Sequence, residues 1–484
     1  MRRLSVLLVL ALLVRTSAAA EGLHSALASI TEVDLRSHLT FLASDALEGR
    51  EAGTQGGHAA AAYLVDRLQA IGVRPAGEDG GYIQEFGLGY RNVLAVFPGS
   101  DPELRDEFIL LGGHLDHVGF GTRLNSSGPI GRIHNGADDN ASGLSAILEI
   151  AEALTKLAAP LPRSVVIALW DGEEKGLLGS RYWVDNPTVP VAGLRLAVNL
   201  DMVGRLRDES VTVYGARTQR GLRQALVRAN QAANLRLDFD HQHKADSDHH
   251  SFYVRRIPYL MLFTGDHPDY HRPSDDVDKI NFAGLEQISR IVLEVVVELA
   301  EDPRPAPFRN DSRHETSPTR ILTQALPSRL GITWAPDRAP GAPFVIERVV
   351  EDSPAAVAGL LPGQRITAVN DIPAGRIEQF RALVNECRGP LCLAIETEDG
   401  QTPSPVTVNL AGTAIPAGAR LAVDPADDAA WHVESVAPDS FAARAGFIAG
   451  DRIMHRPPQA PADRSASWTI ERGGRLIPLQ IEQD

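Results

Sequence analysis

Cysteine is almost missing from this 484-residue chain, which holds only Cys387 and Cys392. Two thiols with Arg-Gly-Pro-Leu between them, and no histidine or further cysteine beside them, exclude a zinc finger and a disulfide scaffold. At most they close one small loop, a modest gain in an oxidising compartment. Long apolar runs are missing too. After residue 20 nothing approaches the roughly 20 apolar residues of a membrane-crossing helix, so stable membrane insertion is not expected. Basic charge is short: 47 Lys and Arg stand against 62 Asp and Glu. Such an acidic balance is a poor basis for binding nucleic acid or an anionic membrane. Also absent are the HExxH helix of zincins and the GxSxG elbow of serine hydrolases.

What stands at the N-terminus is Arg2 and Arg3, an apolar run from Leu4 to Val14, then Ser17-Ala18-Ala19-Ala20. A basic start, a short apolar centre and an Ala-x-Ala end are the parts of a secretory signal peptide. Residues 1–20 are therefore expected to be cleaved near Ala20, giving a periplasmic or secreted product. No cysteine lies at the cleavage point, which argues against a lipoprotein. Cleavage removes three arginines and no acid, leaving 44 basic against 62 acidic residues, net −18.

Residues 21–304 alternate apolar strand-like runs with amphipathic helices. That rhythm predicts an α/β fold with a mostly parallel central sheet flanked by helices. Expected strands are 92–97, 108–111, 164–170, 194–200, 211–214 and 258–263. A helix is expected over 142–157, with Leu144, Ile147, Ile150, Ala151 and Leu154 on one face, and a last helix over 282–299. Residues 305–325, rich in Pro, Arg, Ser and Thr, read as a linker.

Beyond it a pattern repeats. Ser353-Pro-Ala-Ala-Val-Ala-Gly-Leu-Leu-Pro-Gly-Gln-Arg-Ile366 and Ser440-Phe-Ala-Ala-Arg-Ala-Gly-Phe-Ile-Ala-Gly-Asp-Arg-Ile453 share spacing, and a repeat of this size means repeated modules. Both resemble the PDZ domains of bacterial exported proteases, so residues 326–411 and 412–484 are read as two small β-rich PDZ-like domains, the second shorter. Leu330-Gly331-Ile332 resembles the loop that receives a peptide's C-terminal carboxylate. The second copy shows no clear counterpart of that loop.

Acids and histidines follow the expected strands in order. Gly112-Gly-His-Leu-Asp-His117 comes first. A metal-binding imidazole usually gives its other N–H to a carboxylate, so His114 is a candidate ligand and Asp116 its orienter. Asn135-Gly-Ala-Asp-Asp-Asn140 opens a helix, where a carboxylate could cap it or bridge two cations; Asp138 competes with Asp139 for the bridge and is read as its neighbour. In Trp170-Asp-Gly-Glu-Glu174 two adjacent glutamates on a turn point apart, so one can hold metal while the other takes a proton. Asp201 ends a further strand, and Asp269-Tyr-His-Arg-Pro-Ser-Asp275 follows the last. Any one of these could be a cap or a solvated charge. Five in order, at the strand ends where α/β sheets gather their loops, point to one site.

Together these pieces, with Leu42-Ala-Ser-Asp-Ala-Leu-Glu-Gly-Arg50 and Ala52-Gly-Thr54, resemble the dinuclear zinc aminopeptidases of metallopeptidase family twenty-eight, from about Leu39 to Ala300. The resemblance implies two Zn²⁺ per chain: His114 and Asp201 on one, Glu174 and His271 on the other, Asp139 bridging. It makes Glu173 the general base and Tyr270 the phenol that steadies the oxyanion, and it places Asp248 and His249 at the site lining. The implied substrate is a peptide with a free N-terminus, and a peptide C-terminus is implied at the PDZ-like modules. A carboxypeptidase using the same metals is the runner-up, and a catalytically dead peptide-binding scaffold is the reading from another class.

Overall fold

The computed structural model describes residues 21–326, 328–334, 342–373, 377–387, 389–396, 404–411, 418–454 and 465–482; the expected signal segment lies outside them. The chain forms two compact units, one reaching Ile321 and one beginning at Leu322. No described helix is long and apolar enough to cross a membrane.

The first unit is built on nine strands: β1 Arg74–Pro75, β2 Ile83–Phe86, β3 Tyr90–Phe97, β4 Phe108–His114, β5 Ser164–Trp170, β6 Leu194–Leu200, β7 Ser210–Tyr214, β8 Arg236–Asp240 and β9 Tyr259–Phe263. Their order is β1-β3-β5-β4-β6-β9-β7-β8, with β2 on β3. The central β5, β4, β6 and β9 run parallel, while β3 and β7 join them antiparallel. The α/β architecture with a central sheet flanked by helices is the one the alternation predicts, but the sheet is mixed where a mostly parallel one is expected: β1 and β2 pair antiparallel with β3, and β3 and β7 meet the parallel centre antiparallel. Strands β4 and β5 are buried at every position, because apolar clusters cover both faces of the sheet.

Helices lock onto one face through the expected stripes. Helix Gly143–Thr155 buries Leu144, Ile147, Ile150, Ala151 and Leu154. Helix Phe282–Glu301 starts where the Asn281 side chain accepts the Gly284 N–H at 2.9 Å, satisfying one of the donors a helix start leaves open. Strand β4 runs three residues past its apolar stretch. His114 therefore ends the strand instead of following it.

Residues 305–321, expected as linker, pack into the first unit. Arg309 N–H donates to the Thr218 carbonyl at 2.7 Å. Glu315 is buried and takes Arg217 Nε at 2.8 Å and Arg309 Nη1 at 3.0 Å. Composition suggested a linker because these charges look like solvated ones until their partner, about a hundred residues away, is in view. Against burial, which pushes it up, Arg217 and Arg309 hold the Glu315 carboxyl at about 2. The folded value lies below the ordinary ~4.3, so the stabilisation is present above that pH and is lost as pH falls toward 2. Glu315→Gln is expected to cost about 3 kcal/mol at pH 7 and clearly less at pH 3. Urea unfolding of both proteins at the two pH values checks this, and parallel losses would refute it.

The second unit holds two sheets. One is β11 Ile332–Trp334, β12 Phe344–Val349, β13 Arg365–Val369, β15 Leu391–Glu396 and β16 Ser404–Val408 in that order, with β14 Ile372–Pro373 on β13. Helix Ile377–Glu386 belongs with it. Arg329 closes that helix, donating to the carbonyls of Val384 and Asn385 at 2.7 Å and of Cys387 at 3.0 Å. Cys387 and Cys392 are free thiols. The other sheet is β10 Gln324–Ala325, β17 Ala419–Asp424, β18 Asp427–Val436, β19 Arg452–Met454, β20 Ser465–Arg472 and β21 Arg475–Glu482. Strand β10 precedes the first module in sequence yet pairs in the second.

Candidate metal centre

The four parallel strands deliver the site at their C-terminal ends. β4 ends in His114, β5 leads into Asp171-Gly172-Glu173-Glu174, β6 leads into Asp201, and the segment after β9 carries His271. A sharp turn brings Asp139 to them. Gly136 has φ +58, and a Cβ there would meet Asp139 O at 2.1 Å and the His117 ring at 2.5 Å, so only glycine fits.

Two donor groups result: His114, Asp139 and Asp201, and His117, Asp139, Glu174 and His271, each with its ligand atoms within 4.8 Å of one another. Asp139 belongs to both. Its Oδ1 lies 3.2 Å from His114 Nε2, whereas its Oδ2 lies 3.2 Å from His271 Nε2 and 3.6 Å from His117 Nδ1. Asp201 Oδ1 is 3.3 Å from His114 Nε2. Glu174 faces His117 Nδ1 at 2.9 Å and His271 Nε2 at 3.1 Å. His271 Nε2 is buried and makes no hydrogen bond of good geometry; it is aimed between carboxylate oxygens, where a cation fits. Imidazole and carboxylate together suit zinc.

Electrostatics agree with that fit. Against burial, which raises it, His117, His114 and His271 hold Asp139 well below the usual carboxylate range. Glu174 is also lowered, its bonds from His117 and His271 outweighing burial and Asp139. Burial lowers the His271 imidazole, but Asp139 and Glu174 lift it to about 10. Negative charge thus dominates the pocket.

Glu173 stands in neither donor group. Burial first, and then Glu174, Asp248 and Asp201, raise its carboxyl well above the usual range despite His114. Tyr270 stacks on the His271 ring, centroids 3.9 Å apart at 25°, and is 39% exposed at the rim. Burial, Asp139 and Glu174 raise its phenol above the ordinary value.

Asp116 orients His114 in a different way from the one expected. His114 Nδ1 meets the Asp116 backbone carbonyl at 3.1 Å, and the carboxylate sits 3.8 Å away. That carboxylate instead accepts the N–H groups of Glu173 at 3.0 Å and Glu174 at 3.3 Å. One aspartate fixes both glutamates, because two consecutive donors on the tight turn face one acceptor.

Asp138 and Asp139 differ in direction. Asp138 points away, accepting Gly204 N–H at 2.6 Å and Ser142 Oγ–H at 3.0 Å, with His267 Nε2 at 3.2 Å. His249 also turns from the site: it stacks on Tyr259, meets the Lys244 carbonyl at 3.0 Å, and burial pushes its imidazole down to about 3. Asp248 is buried, and burial lifts its carboxyl to about 7 although His114 opposes this.

Sequence reasoning missed His117, which stands in the same Gly-Gly-His-Leu-Asp-His motif. It also missed three supports. Asp275 Oδ2 accepts the N–H groups of Asp138 and Asp139 at 2.9 and 3.1 Å. Ser247 Oγ–H donates to Asp201 Oδ2 at 2.6 Å and itself accepts from Asn199. Arg50, fully buried, donates to the carbonyls of Leu42, Leu115, Asn135 and Gly136. Burial lowers its pKa to about 10, with Asp139 and Asp116 opposing, so it stays cationic. Arg50, Met202 and His271 take φ values of +48, +52 and +53, each costing ~1–2 kcal/mol; such strain concentrates at functional sites.

The first unit thus gathers histidines and carboxylates around a shared aspartate at the ends of the parallel strands of a mixed sheet. Residues 92–296 match the profile of peptidase family M28 and residues 345–392 that of the PDZ domain. It is 27% identical over 250 residues to leupeptin-inactivating enzyme 1 of Streptomyces exfoliatus, covering 51% of this chain and 52% of that protein. It is 28% identical over 193 residues to aminopeptidase YwaD of Bacillus subtilis (strain 168), covering 38% and 42%. The chain thus spans about half the length of these curated relatives. The LapA aminopeptidase structure of Legionella pneumophila aligns with TM-score 0.49 at 22% identity, over 59% of this chain and 76% of that one.

Proposed function

We propose that this chain is an exported aminopeptidase that uses two zinc ions to remove N-terminal residues from peptides. The observation that carries the reading is the division of Asp139, one oxygen turned to each donor group. Two zinc ions, when bound, supply the Lewis acidity that polarises a peptide carbonyl and acidifies an attacking water.

The protein's own groups do the rest. Glu173, outside both donor groups and with raised proton affinity, accepts the water's proton and returns it to the leaving amine. Tyr270, kept protonated, donates to the carbonyl oxygen as charge develops there. Asp116 holds the Glu173 and Glu174 amides, so base and ligand keep a fixed spacing. The excess of carboxylates favours a substrate's cationic α-amine over a blocked terminus. Export rests on the N-terminal Arg2-Arg3, the apolar run and Ala18-Ala19-Ala20. In the first PDZ module, Leu330-Gly331-Ile332 offers backbone N–H groups to a peptide C-terminus.

An aminoacyl chromogen with a free amine should be hydrolysed, and its N-acetyl counterpart should not. A chelator should abolish the rate and added zinc restore it. Equal cleavage of the blocked and free substrates would overturn the aminopeptidase reading.

A further inference from the structure

The two modules of the second unit correspond at a constant offset of 87 residues. Gly331 has φ +85 and Gly418 has φ +87. A Cβ on either would meet the facing serine's Cβ, Ser353 or Ser440, at 2.2 Å. Each serine caps a short helix, accepting the Ala356 or the Ala443 N–H at 3.2 Å. Val350 N–H donates to the Gly331 carbonyl as Ala437 N–H does to that of Gly418, and Gly363 pairs with Ile346 as Gly450 pairs with Val433. The second module therefore does have the glycine-loop counterpart that its sequence did not reveal.

The match makes β17 the counterpart of β11, the strand that follows the glycine loop. Strand addition to such an edge is how this kind of module takes an extended peptide. β11 ends its sheet. β17 has β18 on one side and β10 on the other, antiparallel, Gln324 against Val423 and Ala325 against Ala422. Running from Gln324 to Ala325, β10 heads toward the Gly418 loop, the direction in which a bound peptide would run. Side chains fasten it on both flanks. Thr323 Oγ1–H donates to Glu434 Oε1 at 2.8 Å, and Leu326 packs against the cluster of Leu421, Val433 and Phe447.

We propose that the second module is a peptide-strand acceptor loaded in cis: residues 322–326 of the chain itself occupy the β17 edge as its ligand. An external extended peptide of the same chemistry, small and polar residues between two leucines, competes for that edge. Displacement would free the chain between Ile321 and Arg329. A tethered ligand acts at an effective concentration near the millimolar range, which closes this module to weak peptides and leaves the first module's β11 as the available edge.

The test uses the full chain and a fluorescent peptide with the sequence of residues 321–326, Ile-Leu-Thr-Gln-Ala-Leu. A double variant, Gln324→Pro with Ala325→Pro, removes both N–H groups, so whichever one faces β17 is lost. Anisotropy should show the variant binding the peptide about 10²-fold more tightly than the unaltered chain. A variant that keeps its near-ultraviolet circular dichroism but binds no better overturns the proposal. Should the variant fail to fold, hydrogen exchange on the unaltered chain decides. Millimolar peptide should strip protection from residues 322–326 while 419–423 stay protected, and unchanged protection at 322–326 overturns the proposal.

Discussion

Glu173→Gln is expected to keep its full metal content and to lose at least ~10²-fold in turnover on a free aminoacyl chromogen. The amide is the same size and still fills the turn whose N–H groups Asp116 holds, so geometry should survive. What disappears is the ability to accept a proton, at a carboxyl whose proton affinity burial has already raised. Zinc content by elemental analysis and initial rates on one preparation decide the matter. Loss of metal would mean that Glu173 and Glu174 have exchanged roles, and a rate near the parent's would place the base elsewhere.

Asp139→Asn should be more damaging to metal content than any other single ligand change. Its two oxygens face different donor groups, so the substitution removes charge from both at once. His271→Asn, by contrast, touches only the group that contains Glu174. Affinity should fall beyond the ~10–100-fold typical when a supporting partner outside the ligand shell is lost, leaving less than one ion per chain after dialysis. If Asp139→Asn still holds two ions, or if His271→Asn is the poorer binder, the carboxylate is not shared.

Legibility followed the range of the signal. The four strands that carry the site were readable because each is a buried apolar run with an acid or a histidine at its end, a local pattern. So was the stripe from Leu144 to Leu154. Asp116 was found but its chemistry was not, since nothing local says that its backbone carbonyl, rather than its carboxylate, takes the His114 N–H. Arg50, Ser247 and Asp275 lie tens to more than a hundred residues from the groups they hold, so only the fold could join them to the site. His117 was different. Two histidines three residues apart in one motif were visible, and a search for a fourth donor around Glu174 would have raised it. The segment 305–321 misled because composition reports what a stretch cannot bury alone, and Glu315 is buried with arginines. The Gly418 loop was hidden by small residues that share no side-chain signature with Leu330 and Ile332; φ and the serine contact reveal it.

Arg50 sets an order of events. Its guanidinium joins carbonyls of three separate backbone segments, at Leu42, Leu115 and Asn135-Gly136, beneath the acid cluster, a positive charge that arrives with the polypeptide and cannot diffuse away. Much of the repulsion among the carboxylates is therefore met during folding, before any ion is captured. The donors then wait in place, and acquiring metal becomes a late docking event on a finished surface. A protein assembled in that order can surrender its ions to a chelator and take them back without passing through an unfolded chain. Its metal-free form should give the same far-ultraviolet spectrum as the loaded one.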